Sequence, residues 1–202
     1  MGEKELKNFF MDYLQKDPII KNVKALQENY KPKTVPHREK EIRALAGILA
    51  SALKLNKPSN LFIYGKVGTG KTLCVRHTTE KMVGIAEEND INLKVFYLNC
   101  KMKRVADTEY RLMAQLCREF KLEVPATGLP TDEIYKMFLR ELDKNKVLLL
   151  IILDEIDHLV DKIGNEILYN LTRINSELEK SEVSIIGISN DLVFTDNLDP
   201  RV

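Results

Sequence analysis

Gly65-Lys66-Val67-Gly68-Thr69-Gly70-Lys71-Thr72 matches the pattern G-x-x-x-x-G-K-[ST] at every position, and the apolar run Leu61-Phe62-Ile63-Tyr64 leads directly into it. That run reads as a strand, and Lys71 to about Glu88 reads as a helix, so the glycines fall where the chain turns from one to the other. Glycine lets the backbone curl until several N–H groups point at one anion, beside the positive end of the following helix. Lys71 adds a mobile positive charge, and Thr72 a hydroxyl placed for a bound Mg²⁺. Gly65, Lys66, Val67, Gly68, Thr69, Gly70, Lys71 and Thr72 are therefore expected to cradle the phosphates of a nucleoside triphosphate.

A strand and helix around such a loop require a parallel sheet, and the rest of the chain supplies one. Leu93 to Asn99 reads as a second strand. Val147-Leu148-Leu149-Leu150-Ile151-Ile152-Leu153 is apolar throughout, as expected of a central strand buried on both faces. Val183 to Ser189 reads as a further strand. Helical spacing appears in Ile42, Leu45, Ala46, Leu49, Ala52 and Leu53, and in Tyr110, Met113, Leu116, Cys117 and Phe120. A helix is expected from Thr131 to Leu142 with Thr131 as its N-cap, and another from about Ile163 to Leu178. The fold class is thus layered α/β.

Asp154-Glu155-Ile156-Asp157 follows the most hydrophobic strand at its carboxyl end, the edge at which open parallel sheets bind ligands. Asp154 suits the magnesium-associated carboxylate of a nucleotide hydrolase, and Glu155 the base that polarises an attacking water. An acidic turn capping the next helix is the structural alternative. Asp157 suits a helix N-terminus and His158 a structural role, so neither is assigned chemistry. Asn190, which ends the strand at Val183–Ser189, has two readings: a turn-forming Asn-Asp, or an amide that bonds the attacking water or the γ-phosphate.

Composition limits the remaining classes. Thirty-one Lys and Arg against 30 Asp and Glu give a net charge of +1, so any nucleic-acid contact must be local rather than global. The apolar run of seven residues is far short of the roughly 20 that cross a bilayer, so no membrane role is expected. The N-terminus carries Glu3, Lys4 and Glu5 where a signal peptide would be apolar. Cys74, Cys100 and Cys117 form no C-x-x-C pair and read as small core residues in a reducing cytoplasm. Leu6, Phe9, Phe10, Tyr13 and Leu14 repeat at helical spacing and predict an N-terminal helix packed on something, with a weaker pattern through Ile20, Val23, Leu26 and Tyr30. Pro32 and Pro36 then break the chain. Residues 1–34 are expected to form a helical arm and 35–202 the main domain.

Together these segments resemble the AAA+ ATPases, and within them the archaeal replication initiators of the origin-recognition and cell-division-control family. The resemblance rests on Val35-Pro36-His37-Arg38-Glu39, Asn60-Leu61-Phe62-Ile63-Tyr64-Gly65, Leu98-Asn99-Cys100 and Leu153-Asp154-Glu155-Ile156-Asp157. It continues through Ile167-Leu168-Tyr169-Asn170-Leu171, Ile185-Ile186-Gly187-Ile188-Ser189-Asn190-Asp191 and Leu198-Asp199-Pro200-Arg201-Val202, covering about Val35 to Val202. It implies a P-loop three-layer sandwich with Lys71 and Thr72 as Walker A, Asp154 and Glu155 as Walker B, and Thr72 and Asp154 on Mg²⁺. Asn190 becomes sensor 1, Val35, Pro36, His37 and Arg38 border the adenine, and Arg201 is an arginine finger reaching a neighbouring subunit.

The implied activity is slow hydrolysis of ATP to ADP and phosphate, switching an initiator between states that bind origin DNA and load the replicative helicase. Self-association or pairing with related initiator subunits would accompany it. In this family the interval holding Lys101, Lys103 and Arg104 carries an inserted helix that touches DNA. Family members continue past Arg201 into a last strand, a helical lid and a winged-helix domain. The chain is therefore expected to be an ATPase portion truncated before them, with the phosphate-loop strand as a sheet edge. Two alternatives remain: another AAA+ module acting on protein partners, such as a clamp loader subunit or a signal-transducing ATPase, and a non-hydrolysing nucleotide-binding scaffold.

Overall fold

The strand after residue 147 decides the architecture. In the computed structural model, which describes residues 2–26, 32, 34–102, 106–125 and 128–194, β3 (Leu148–Asp154) is buried at all seven positions. It pairs in parallel with β2 (Leu93–Asn99) on one side and β4 (Glu182–Ser189) on the other, and β4 pairs in parallel with β1 (Leu61–Tyr64). The order is β1-β4-β3-β2, so the phosphate-loop strand is an edge among the described residues, as expected.

Because side chains alternate across a strand, β3 feeds two apolar layers. Leu148, Leu150 and Ile152 face a layer with α2 (Glu39–Leu49) and α3 (Lys71–Glu88), through Leu45, Leu49, Val75 and Met82. Leu149, Ile151 and Leu153 face the layer built by α4 (Glu109–Glu119) and α5 (Thr131–Asn145), with α6 (Ile156–Ile163) and α7 (Glu166–Arg173) completing it. This is the three-layer α/β sandwich. Each fully buried Leu or Ile contributes about 1.5–3 kcal/mol of hydrophobic stabilisation, so the central strand is also the energetic centre of the domain.

Register carries this order to the site. Asn99 lies opposite Asp154, Asp154 opposite Ile188, and Tyr64 opposite Ser189. The four carboxyl ends are level, so the phosphate loop, Asp154 and Asn190 emerge along one edge.

Four local expectations are corrected. The helix expected over 163–178 starts only at Glu166, as α7, and ends in a 3₁₀ turn (Ile174–Ser176), because Gly164 at φ 93° takes the left-handed backbone that ends α6 at Ile163. The segment from Ile156 onward is already helical. Thr131 does not cap α5: Pro130, held extended at ψ 146°, is the cap residue, and its carbonyl accepts from Glu133 and Ile134. The N-terminal helix forms as α1 (Glu3–Gln15), but no residue of it is buried, and Phe9 and Phe10 are 57% and 56% exposed. The second pattern yields only a 3₁₀ turn at Val23–Leu26, with Tyr30 outside the described residues.

The chain divides into two compact units, Met1–Thr34 and Val35–Val202. Among the described residues no helix is long and apolar enough to cross a membrane. The three cysteines are free and buried. Truncating Ile151, which is 0% exposed at the centre of β3, to Ala is expected to cost about 2–5 kcal/mol in urea denaturation, with no change in the slope of the transition.

Candidate active site

The phosphate loop runs from the end of β1 to the start of α3 and is shaped by its own lysine. Lys71 Nζ donates to the carbonyls of Gly65 at 2.7 Å and Lys66 at 3.0 Å, and to Asn190 Oδ1 at 2.8 Å. Thr69 Oγ1 closes the turn on the Lys66 carbonyl at 2.9 Å. Gly70 precedes the helix at φ 86°, a conformation that side-chain-bearing residues rarely adopt, and its carbonyl accepts the N–H of Cys74 at 2.9 Å.

Opposite the loop, Asp154 is 4% exposed and surrounded by donors. Thr72 Oγ1 lies 3.0 Å from Oδ2 and 3.2 Å from Oδ1, the Tyr97 hydroxyl donates to Oδ2 at 2.6 Å, and the Glu155 N–H donates to Oδ1 at 3.0 Å. A buried carboxylate without such donors is strongly unfavourable, so these bonds are what permits an acid at this strand end.

Glu155 takes the left-handed backbone at φ 54° and ψ 49° and is the cap residue of α6. Such a conformation costs a side-chain-bearing residue on the order of 1–3 kcal/mol and gathers at functional sites. Its Oε2 is buried with no hydrogen-bond partner, while Lys101 Nζ stands 3.7 Å away and His158 Nε2 4.0 Å. The carboxylate is thus oriented by nearby groups and retains acceptor capacity, as a base that receives a proton requires. Cys100, immediately after β2, is held protonated: burial, then the carboxylates of Asp154, Asp157 and Glu155, push its thiol up to about 12.

The structure brings Lys71, Thr72, Asp154, Glu155 and Asn190 together. Of the residues expected beside the adenine, Val35 packs against the α2–α3 layer, and Arg38 Nε lies 3.9 Å from where a β-carbon on Gly70 would be. Arg38 also pairs with Glu41 at 2.8 Å. Pro36 and His37 are exposed, and His37 stands at φ 62° with its N–H on Glu39 Oε1 at 3.3 Å. Lys101 is exposed beside Glu155, whereas Lys103, Arg104 and Arg201 lie outside the described residues. Sequence reasoning missed Tyr97, whose signal is a tyrosine two residues before the strand end and so on the same face as Asn99. It also missed the contacts of Lys101 and His158 with Glu155.

This loop and this acidic strand end, on this sheet, define a P-loop nucleotide-binding domain of the AAA class. A family model described as "AAA domain" matches residues 55–194, and the chain belongs to that family. Membership implies nucleotide binding. Within the family the chain is similar to the ORC1-type DNA replication proteins. It is 47% identical to that of Thermococcus kodakarensis, covering 100% of this chain and 49% of the relative. To the ORC1-type DNA replication protein 1 of Methanosarcina mazei it is also 47% identical, covering 98% and 47%. The chain thus spans about half the length of the curated relatives it matches. Among solved structures, the Aeropyrum pernix ORC1 protein in complex with DNA superposes with TM-score 0.78 at 40% identity, covering 87% of this chain and 44% of that one. The Aeropyrum pernix ORC2 protein, in ADPNP–ADP complexes, superposes with TM-score 0.74 at 26% identity, covering 87% and 47%.

Replacing Lys71 by Ala removes the charged donor from the cradle. Nucleotide affinity in a fluorescent-nucleotide titration is expected to fall roughly 100-fold or more, as for loss of charge-assisted bonds to phosphate.

Proposed function

We propose that this chain is the ATP-binding and ATP-hydrolysing core of a DNA replication initiator. The observation that carries the reading is the convergence of Lys71, Thr72, Asp154, Glu155 and Asn190 at one sheet edge. The roles follow from their chemistry. Backbone N–H groups of residues 65–72 and the Lys71 ammonium receive the β- and γ-phosphates, and Lys71 exchanges its present carbonyl partners for phosphate oxygens. Asn190, tied to Lys71, is assigned to sensing the γ-phosphate. Glu155 accepts the proton of the water that attacks phosphorus, its carboxylate kept in place by Lys101, His158 and the strained backbone.

The Thr72 hydroxyl and the Asp154 carboxylate offer only oxygen donors, 3.0 Å apart, a set that suits a hard divalent cation. Mg²⁺ bound there would neutralise charge that develops on the phosphates. Val35, Pro36, His37 and Arg38 are assigned to the adenine side, with the placement of Arg38 beside Gly70 in support. Arg201 is assigned to a neighbouring subunit's γ-phosphate on sequence position alone.

ATP and ADP as ligands are supported by the nucleotide complexes of the ORC2 relative, and DNA as a partner by the ORC1 relative, which is in complex with DNA. Origin DNA as the target, a replicative helicase as the load, and self-association extend this reading. So does the division into an arm at 1–34 and an ATPase core at 35–202. The relatives favour the initiator over an AAA module acting on protein partners.

Glu155→Gln is expected to keep ATP affinity within about threefold while lowering turnover by roughly 10²–10⁴, the usual contribution of a general base. Equal turnover in the two proteins would remove Glu155 from the role of base. In parallel, origin-DNA affinity that is identical with ATP, with ADP and without nucleotide would remove the switch.

A further inference from the structure

Tyr97 lies outside every role assigned above, yet it makes a short hydrogen bond to the carboxylate at the centre of the site. Its hydroxyl is 2.6 Å from Asp154 Oδ2, in the range of charge-assisted O–H···O⁻ bonds. The bond is diagonal: Tyr97 is paired with Ile152 in the sheet, two residues before Asp154, and its ring spans that offset along the common face. The ring has room to do otherwise, because Tyr97 also lines an open cavity of about 300 Å³ with Arg76, Val83 and Val95. Close packing alone does not place its hydroxyl on the acid.

A second element fixes the ring. The Arg76 guanidinium lies over it, 4.5 Å from the centroid. Arg76 is four residues after Thr72 on α3, one turn along the same face. One helix therefore touches Asp154 through the Thr72 hydroxyl and touches its tyrosine partner through Arg76, and Thr72, Asp154, Tyr97 and Arg76 form a closed circuit across α3, β2 and β3.

The geometry points to Tyr97 as the positioning residue for the metal-binding carboxylate, with Arg76 holding the ring. This rests on the assignment of Thr72 and Asp154 to Mg²⁺. Thr72 Oγ1 now donates its one hydrogen to Asp154, which leaves its lone pairs for a cation, so that bond and coordination are compatible. The Tyr97 hydroxyl and the Glu155 N–H hold Asp154 independently of Thr72, so the acid keeps its orientation when a cation arrives. Hydrogen-bonded partners of metal ligands act in this manner generally, and their removal weakens metal affinity by roughly 10- to 100-fold. Tyr97 touches neither phosphate nor attacking water in this scheme, so its effect is confined to the cation requirement.

The test is Tyr97→Phe in the 202-residue chain, a change that removes one hydroxyl and keeps the ring under Arg76. A fluorescent ATP analogue is titrated first in EDTA, then with Mg²⁺ or Mn²⁺ varied at fixed analogue, and thermal melting is recorded beside both. The expected result is an EDTA affinity within about twofold of the unsubstituted protein, an intact cooperative melt, and a half-saturating cation concentration raised roughly tenfold. An unchanged cation requirement overturns the proposal. Equal losses with and without cation also overturn it, since they mark a merely structural tyrosine. If the unsubstituted protein binds the analogue with no dependence on cation, the Mg²⁺ assignment itself fails and this inference falls with it, an outcome distinct from the first two.

Discussion

A carboxylate at the end of a fully buried strand is the constraint on which the rest of the site depends. Asp154 stands where β3 leaves the core, and an acid in that position requires donors on every available side. They come from three directions: α3 through Thr72, β2 through Tyr97, and the following backbone through Glu155 N–H. Satisfying this one side chain aligns the first turn of the phosphate-loop helix, the edge strand β2 and the start of α6. The left-handed conformation of Glu155 belongs to the same arrangement, because its N–H turns back onto the acid that precedes it.

The sheet transmits this local demand. Parallel pairing levels the strand ends, so Asn190 after β4 stands within reach of Lys71 although they are 119 residues apart in sequence. Lys71 in turn bonds two carbonyls of its own loop, which ties the start of α3 to the end of β1. The two apolar layers fed by alternate residues of β3 are the reason these ends do not drift. Core stability and site geometry are therefore properties of the same strand, and damage to its packing is expected to reach both.

Much of this was legible in the residues because the signals are local and periodic. The phosphate loop is a contiguous motif, the apolar run at 147–153 has no polar interruption, and the acids follow it directly. What escaped was of three physical kinds. The Tyr97–Asp154 and Lys101–Glu155 contacts cross between strands or loops, and no sequence spacing encodes them before the register is known. The break between α6 and α7 rests on Gly164 alone within an otherwise helical pattern, where the backbone angle and not the composition ends the helix. The Thr131 cap failed because Pro130 was already extended and took that position. The apolar stripe of α1 correctly predicts a helix, but periodicity reports an apolar face without reporting whether anything covers it. Arg201, read from its motif, lies outside the described residues.

The central claim is that Thr72–Asp154 and Lys71–Asn190 are the resting contacts of a nucleotide and Mg²⁺ site. A crystal structure of the chain with a non-hydrolysable ATP analogue and Mg²⁺ tests it most directly. The expected result is phosphates inside the loop at 65–72, Lys71 Nζ moved from the Gly65 and Lys66 carbonyls onto phosphate oxygens, and the cation beside Thr72 Oγ1 and Asp154, with Tyr97 still on Asp154. Analogue bound elsewhere, or bound in the loop with the cation on residues other than Thr72 and Asp154, would contradict it.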